Sequence, residues 1–126
     1  MRFSKWMGVS ALLAILLVLS AHASNVTGTE LFAECSASYA SVARVRCDSY
    51  IAGVVDGVDT LIISLRLRHP FNGAYPKLYC LPPRTAAKSL VSPIVHYLRD
   101  HPSTRHYGAS SEVLLALEQA YPCRGN

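Results

Sequence analysis

The stretch CDSYIAGVVDGVDTLIISL, residues 47–65, decides the fold. Cys47, Ile51, Val54, Val58, Leu61 and Leu65 recur at spacings of 4, 3, 4, 3 and 4. At about 100° per residue these side chains fall within about 80° of arc, with Val55 and Ile62 widening the stripe. That periodicity predicts a long amphipathic helix. Ser49, Gly53, Gly57, Thr60 and Ser64 form a small-residue face beside it. A mid-helix glycine costs about 1 kcal/mol relative to alanine. Two glycines four apart therefore predict a closely packed backbone there, from this chain or from a second copy.

Three more helices flank the long one. Thr27 with Glu30 three residues on spells a capping box, and Leu31, Phe32 and Cys35 then fall on one face. His69-Pro70 ends the long helix, and a loop through Phe71-Asn72-Gly73-Ala74-Tyr75-Pro76 leads to Cys80. Pro82-Pro83 holds the chain extended, with Thr85 as the cap of a helix carrying Leu90, Val91, Ile94, Val95 and Leu98. Pro93 predicts a kink in that helix, or a fresh start capped by Ser92, because interior proline removes a hydrogen bond and clashes one turn back. After Asp100-His101-Pro102 and a polar loop, Ser110 is the expected cap of a last helix holding Val113, Leu114, Leu117 and Tyr121, which Pro122 stops. Alternating strand patterns are absent, and the expected fold is all-α, a compact four-helix domain.

The N-terminus reads as a targeting segment. Arg2 and Lys5 precede an apolar run from Trp6 to Leu19, and Ala21-His22-Ala23 carries small residues where a signal peptidase reads. The run is shorter than the ~20 residues a membrane-spanning helix needs. Residues 1–23 are accordingly expected to be a cleaved signal peptide and residues 24–126 the exported domain, with no membrane contact after cleavage. Of the 12 Lys and Arg in the chain, the leader removes two, leaving 10 against 8 acidic residues. The remaining cations are scattered singly, which argues against nucleic-acid binding.

Cys35, Cys47, Cys80 and Cys123 all lie in the exported part. An even count in a small secreted domain reads as two disulfides, with three connectivities open. The favoured pairing is Cys35–Cys123 with Cys47–Cys80: the first bridge would tie the two ends of the domain together. The second would bring the returning loop beside the start of the long helix.

No catalytic set assembles. Asp56 and Asp59 share a side of the long helix, but roughly 120–180° from its apolar stripe, where solvent or a partner is expected. His96, His101 and His106 recur every five residues, which scatters them around a helix, so no metal and no cofactor is expected. A cysteine nucleophile would need a free thiolate where every cysteine has a partner. The serines sit in no G-x-S-x-G elbow. The chain reads as a non-enzyme. A small disulfide-bonded periplasmic chaperone or stress protein is the alternative class, although no cluster of titrating residues marks one.

Several short stretches carry a resemblance when taken in order. They are Leu31-Phe32-Ala33-Glu34-Cys35, the run from Cys47 through Gly57, Cys80-Leu81-Pro82-Pro83, Tyr97-Leu98-Arg99-Asp100-His101-Pro102, and Ala120-Tyr121-Pro122-Cys123. Together they resemble the Rap/Tai family of type VI secretion immunity proteins over nearly all of the exported chain. The resemblance implies a small, helical, periplasmic and often dimeric protein that binds a secreted peptidoglycan amidase toxin and occludes its active site. Toxin-contacting loops vary in that family, so no binding residue transfers by motif. From the residues themselves, loops 68–79 and 100–109 offer Phe71, Tyr75, Tyr79, Arg105 and Tyr107 as partner-binding candidates, because tyrosine and arginine are enriched at binding hot spots.

Overall fold

The structure, a computed structural model, describes residues 25–68 and 77–123. The expected leader, together with Phe71 and Tyr75, lies outside the described residues. Four helices follow one another: α1 (Gly28–Cys35), α2 (Val42–Arg68), α3 (Ala87–Asp100) and α4 (Ala109–Ala120). Each packs against the other three. Among the described residues the nearest approach to a strand is a single antiparallel bridge between Thr27 and Gly108.

The expected capping box opens α1: the Thr27 hydroxyl accepts from the Glu30 amide while the Glu30 carboxylate accepts from the Thr27 amide at 2.7 Å. The two remaining free donors of that turn reach across the chain. Gly28 N–H donates to the Tyr107 carbonyl at 3.0 Å and Thr29 N–H to the Arg105 carbonyl at 2.9 Å. Every N-terminal amide of α1 thus has a partner, and loop 101–108 is fastened to it.

The core lies where α1, α3 and α4 meet the first half of α2. Leu31, Ile51, Leu90, Ile94, Leu98 and Leu117 are its largest apolar members. The stripe expected to be core from Cys47 to Leu65 is core only at its start. Cys47 and Ile51 are buried, Val54, Val55 and Val58 are half-buried, and Leu61 is exposed. Length explains the difference. With 27 residues α2 runs about 40 Å, whereas the 14-residue α3 and 12-residue α4 run only about 21 and 18 Å. The C-terminal half of α2 overhangs the described core.

Helix α3 is unbroken from 87 to 100 with Pro93 inside it, so no fresh helix starts at Ser92. Two expected caps are corrected. Thr85 does not cap α3; its hydroxyl donates to the Pro82 carbonyl at 2.6 Å, closing a turn in which Arg84 adopts φ 62°. Ser110 does not cap α4; Gly108 holds that position, and Ala109 N–H donates to the Val26 carbonyl at 2.8 Å. A backbone partner has replaced the side chain in that role.

The disulfide pairing is also corrected. Cys35 bonds Cys47 and Cys80 bonds Cys123, with Cα–Cα distances of 5.1 and 4.9 Å. Residues 36–41 reverse the chain between α1 and α2 through a turn closed by Ser41 N–H to the Ser38 carbonyl at 2.9 Å, and this sets Cys47 beside Cys35. At the other end Cys80 N–H donates to the Tyr121 carbonyl at 2.8 Å, which sets the returning chain beside Cys123. In the chain-entropy picture, closing separations of 12 and 43 residues is worth about 3 and 4 kcal/mol.

Candidate functional site

The proposed partner-binding side chains occupy different environments. Tyr107 is 55% exposed at the end of loop 101–108 and stacks obliquely on His106, ring centroids 4.1 Å apart. Arg105, two residues earlier, is committed to the fold. Its guanidinium donates to the Leu98 carbonyl and, at 3.2 Å, to the Arg99 carbonyl, and its cationic carbon lies 4.0 Å from the centroid of the Phe32 ring. It therefore closes the C-terminal end of α3, where the unpaired carbonyls and the helix dipole favour a cation. Tyr79 is buried in the core. Burial first, then the charges of Asp59 and Asp56, push its phenol above the ordinary tyrosine value. The structure thus leaves Tyr107 as the exposed candidate among the three it describes.

Beneath that loop sits Glu112, fully buried in the first turn of α4. One carboxylate oxygen accepts from the Thr104 hydroxyl at 3.1 Å, and among the described residues the other has no partner. Nearby, burial and then the charge of Glu112 raise the Tyr97 phenol above its ordinary value. Tyr97 stacks on His101, whose Nδ1 lies 2.8 Å from the Tyr97 carbonyl. Loop 101–108 is consequently held from below by Glu112 through Thr104, from one side by α1, and by Arg105 on the end of α3.

A second surface was read only in part from the sequence, which singled out Ser49, Gly53, Thr60 and Asp56 but not the apolar residues at its two ends. Val42, Val45, Ser49, Gly53, Asp56, Thr60, Ile63 and Leu67 recur along α2 at spacings of 3, 4, 4, 3, 4, 3 and 4. They form a second stripe about 180° around the helix from Cys47 and Ile51. All eight are exposed, Leu67 by 80%. Its two ends are apolar and its middle is small or acidic. A Cβ built on Gly53 or Gly57 meets nothing within 4 Å, so the neighbouring backbone expected there is not supplied by the described chain. The spacing was visible in the sequence. Its apolar ends went unrecognised because the core stripe has the same period and reads first. At its N-terminal end the stripe borders a hollow of about 440 Å³ lined by Val26, Val42, Val45 and Tyr50, with Arg46 and Glu34 ion-paired at 3.3 Å on its rim.

Segment 77–81 crosses the overhanging half of α2 and encloses a groove of about 310 Å³. Val58, Ile62 and Leu78 give it an apolar floor, and Asp59, Arg66 and Lys77 line it with both signs of charge. Asp59 thus belongs to the groove while Asp56 lies on the outer stripe. The structure does not gather His96, His101 and His106. Among the described residues no group of three or more His, Cys, Asp or Glu is placed to hold a metal ion. Nor is any described helix long and apolar enough to cross a membrane. What the arrangement offers is apolar and aromatic surface on a cross-linked frame, suited to binding a protein.

Comparison with known proteins agrees with that chemistry. A family model described as Rap1a immunity proteins matches residues 27–123, from the cap of α1 to the last cysteine. No curated protein and no solved structure matches the chain. The match spans all four helices and both disulfides, and by it the chain belongs to the Rap1a immunity protein family.

Proposed function

We propose that this protein is a periplasmic immunity protein that binds a peptidoglycan amidase effector of type VI secretion and occludes its active site. Family membership carries the reading, since an immunity protein acts by binding a partner effector. The frame supports it: an inhibitor needs a surface held in place before binding, because ordering loops on association subtracts from affinity. Here loop 101–108 is fastened to three helices. Phe71, Tyr75 and Tyr107 are the proposed entrants to the amidase cleft, with Tyr79 and Arg105 supporting the surface from within. The leader is proposed to be removed before Ser24, and sequencing the exported protein from its N-terminus tests that.

The direct experiment mixes residues 24–126 with the cognate amidase and follows release of muropeptides. Stoichiometric loss of hydrolysis is expected, and unchanged hydrolysis at saturating protein refutes the assignment. Alanine at Tyr107 should weaken binding by roughly thirtyfold, the effect of removing a ~2 kcal/mol hot spot. A second copy of the chain is the other proposed partner, supported by the exposed outer stripe of α2 with its open glycines. Light scattering tests it, with Leu67→Asp as the variant expected to shift a dimer toward monomer.

A further inference from the structure

The two disulfides occupy opposite environments. Cys35 and Cys47 are 2% and 0% exposed, walled in where α1 meets α2. Cys80 and Cys123 are both exposed residues, outside every helix, one on the returning segment and the other past the end of α4. Thiol–disulfide exchange needs a thiolate to approach one sulfur along the S–S axis, so access sets which bridge reacts. By residue exposure, Cys80–Cys123 is the bridge open to a reductant in the folded protein, whereas Cys35–Cys47 is closed off until α1 and α2 separate.

We propose that Cys80–Cys123 is a thiol–disulfide exchange site for a dithiol reductant, and that Cys35–Cys47 is shielded from the same reagent. In the first step a thiolate of the dithiol attacks the Cys123 sulfur. The S–S bond breaks, Cys80 leaves as a thiolate, and a mixed disulfide joins Cys123 to the reductant. In the second step the reductant's other thiolate attacks its own sulfur of the mixed disulfide and releases Cys123. The bridge gains two electrons and two protons to become two thiols, and the dithiol is oxidised to a disulfide. An oxidised dithiol partner reverses the sequence.

The consequence is local. Segment 77–81 forms one wall of the groove over α2, and it is held at the C-terminal end of the chain by this bridge and by the bond from Cys80 N–H to the Tyr121 carbonyl. Reduction removes the covalent tie and leaves a single hydrogen bond in its place. Cys80 and Cys123 stand outside the buried core in which Leu31, Ile51, Leu90, Ile94, Leu98 and Leu117 pack, so the helices are expected to keep that core when this bridge opens. The groove wall then loosens while the frame persists.

The experiment uses the native oxidised protein, residues 24–126. One arm is treated with dithiothreitol and the other with reduced thioredoxin, each quenched over time with iodoacetamide and mapped by mass spectrometry. Cys80 and Cys123 should be alkylated at least about tenfold faster than Cys35 and Cys47, since the buried bridge reacts only through an opening of the fold. Far-UV circular dichroism should keep its helical signal while the first bridge is lost. Reaction with both reagents identifies a protein dithiol as a competent source, and reaction with dithiothreitol alone restricts the source to small dithiols. Equal rates at the two bridges, faster labelling of Cys35 and Cys47, or no labelling in either arm overturns the proposal.

Discussion

Replacing Gly28 with alanine tests how tightly loop 101–108 is fitted to α1. Gly28 is buried, and a Cβ there would lie 3.0 Å from the Arg105 carbonyl oxygen, 3.0 Å from Glu112 Cγ and 3.1 Å from Arg105 Cα. Ordinary contacts of a Cβ begin several tenths of an ångström farther out. Two of the three obstacles are backbone, and the third belongs to a fully buried side chain, so no flexible end can swing aside. The loop must retreat, which stretches the bonds from Gly28 N–H to the Tyr107 carbonyl and from Thr29 N–H to the Arg105 carbonyl. Overpacking of this kind costs about 1–3 kcal/mol. Against it stands a gain of up to ~1 kcal/mol, because alanine restricts the unfolded chain and Gly28 does not use a positive φ. The net expectation is a loss of about 1–2 kcal/mol, lowering the melting midpoint by roughly 5–10 °C in a domain of this size. Gly53→Ala and Gly57→Ala are the internal controls. Their Cβ positions are open, so each should stabilise the monomer by up to ~1 kcal/mol. Thermal unfolding followed at 222 nm measures all three, and a Gly28→Ala protein at least as stable as the wild type would refute the packing argument.

Other consequences follow from the same contacts. Arg105→Ala should cost about 1–3 kcal/mol in urea unfolding, through lost carbonyl partners at the end of α3 and lost contact with Phe32, whereas Tyr107→Ala should leave stability within about 0.5 kcal/mol. If the two variants unfold alike, Arg105 is not the support described. Cys47→Ala removes a buried bridge and leaves a hole in the core, and it should lower stability by at least ~3 kcal/mol in the same assay; a shift below 1 kcal/mol contradicts it. At high pH, Tyr79 and Tyr97 hold their protons more tightly folded than unfolded. Their stabilising contribution is therefore complete below the ordinary tyrosine value of about 10 and is lost as pH rises above it. Melting midpoints from pH 8 upward should fall more steeply for the wild type than for Tyr79→Phe with Tyr97→Phe; parallel curves would contradict the assignment.

Helix content was legible from the sequence because its signals are local. The Thr27–Glu30 capping box, the apolar faces of α3 and α4 and the stop at Pro122 each depend on residues within a turn or two. What escaped depends on residues far apart. Thr85 and Ser110 have the chemistry of caps, but Gly108 won the position before α4 because Val26 supplies a carbonyl from across the chain. Arg105 looked like a free cation until the end of α3 came within reach of it. The disulfide pairing turned on the reversal between α1 and α2, which sets Cys47 beside Cys35 and outweighs the appeal of joining the two termini. Family membership was legible for a different reason: the ordered set of short motifs is a pattern across the whole chain, independent of any one contact.

The order of the bridges bears on biogenesis. First bonds second and third bonds fourth, so neither loop encloses a cysteine of the other. For a chain that enters an oxidising compartment N-terminus first, Cys35 and Cys47 are the only thiols present until some 33 further residues have crossed. Closing a short loop takes well under a millisecond. The first two thiols therefore meet many times in the second or more that those further residues need at a synthesis rate of about 5–20 residues per second, and the oxidant sets the rate of bonding. A catalyst that oxidises cysteines within that interval makes the native bond at the first opportunity and again at the second. Such a chain matures without a disulfide isomerase, and its yield should be insensitive to deletion of one.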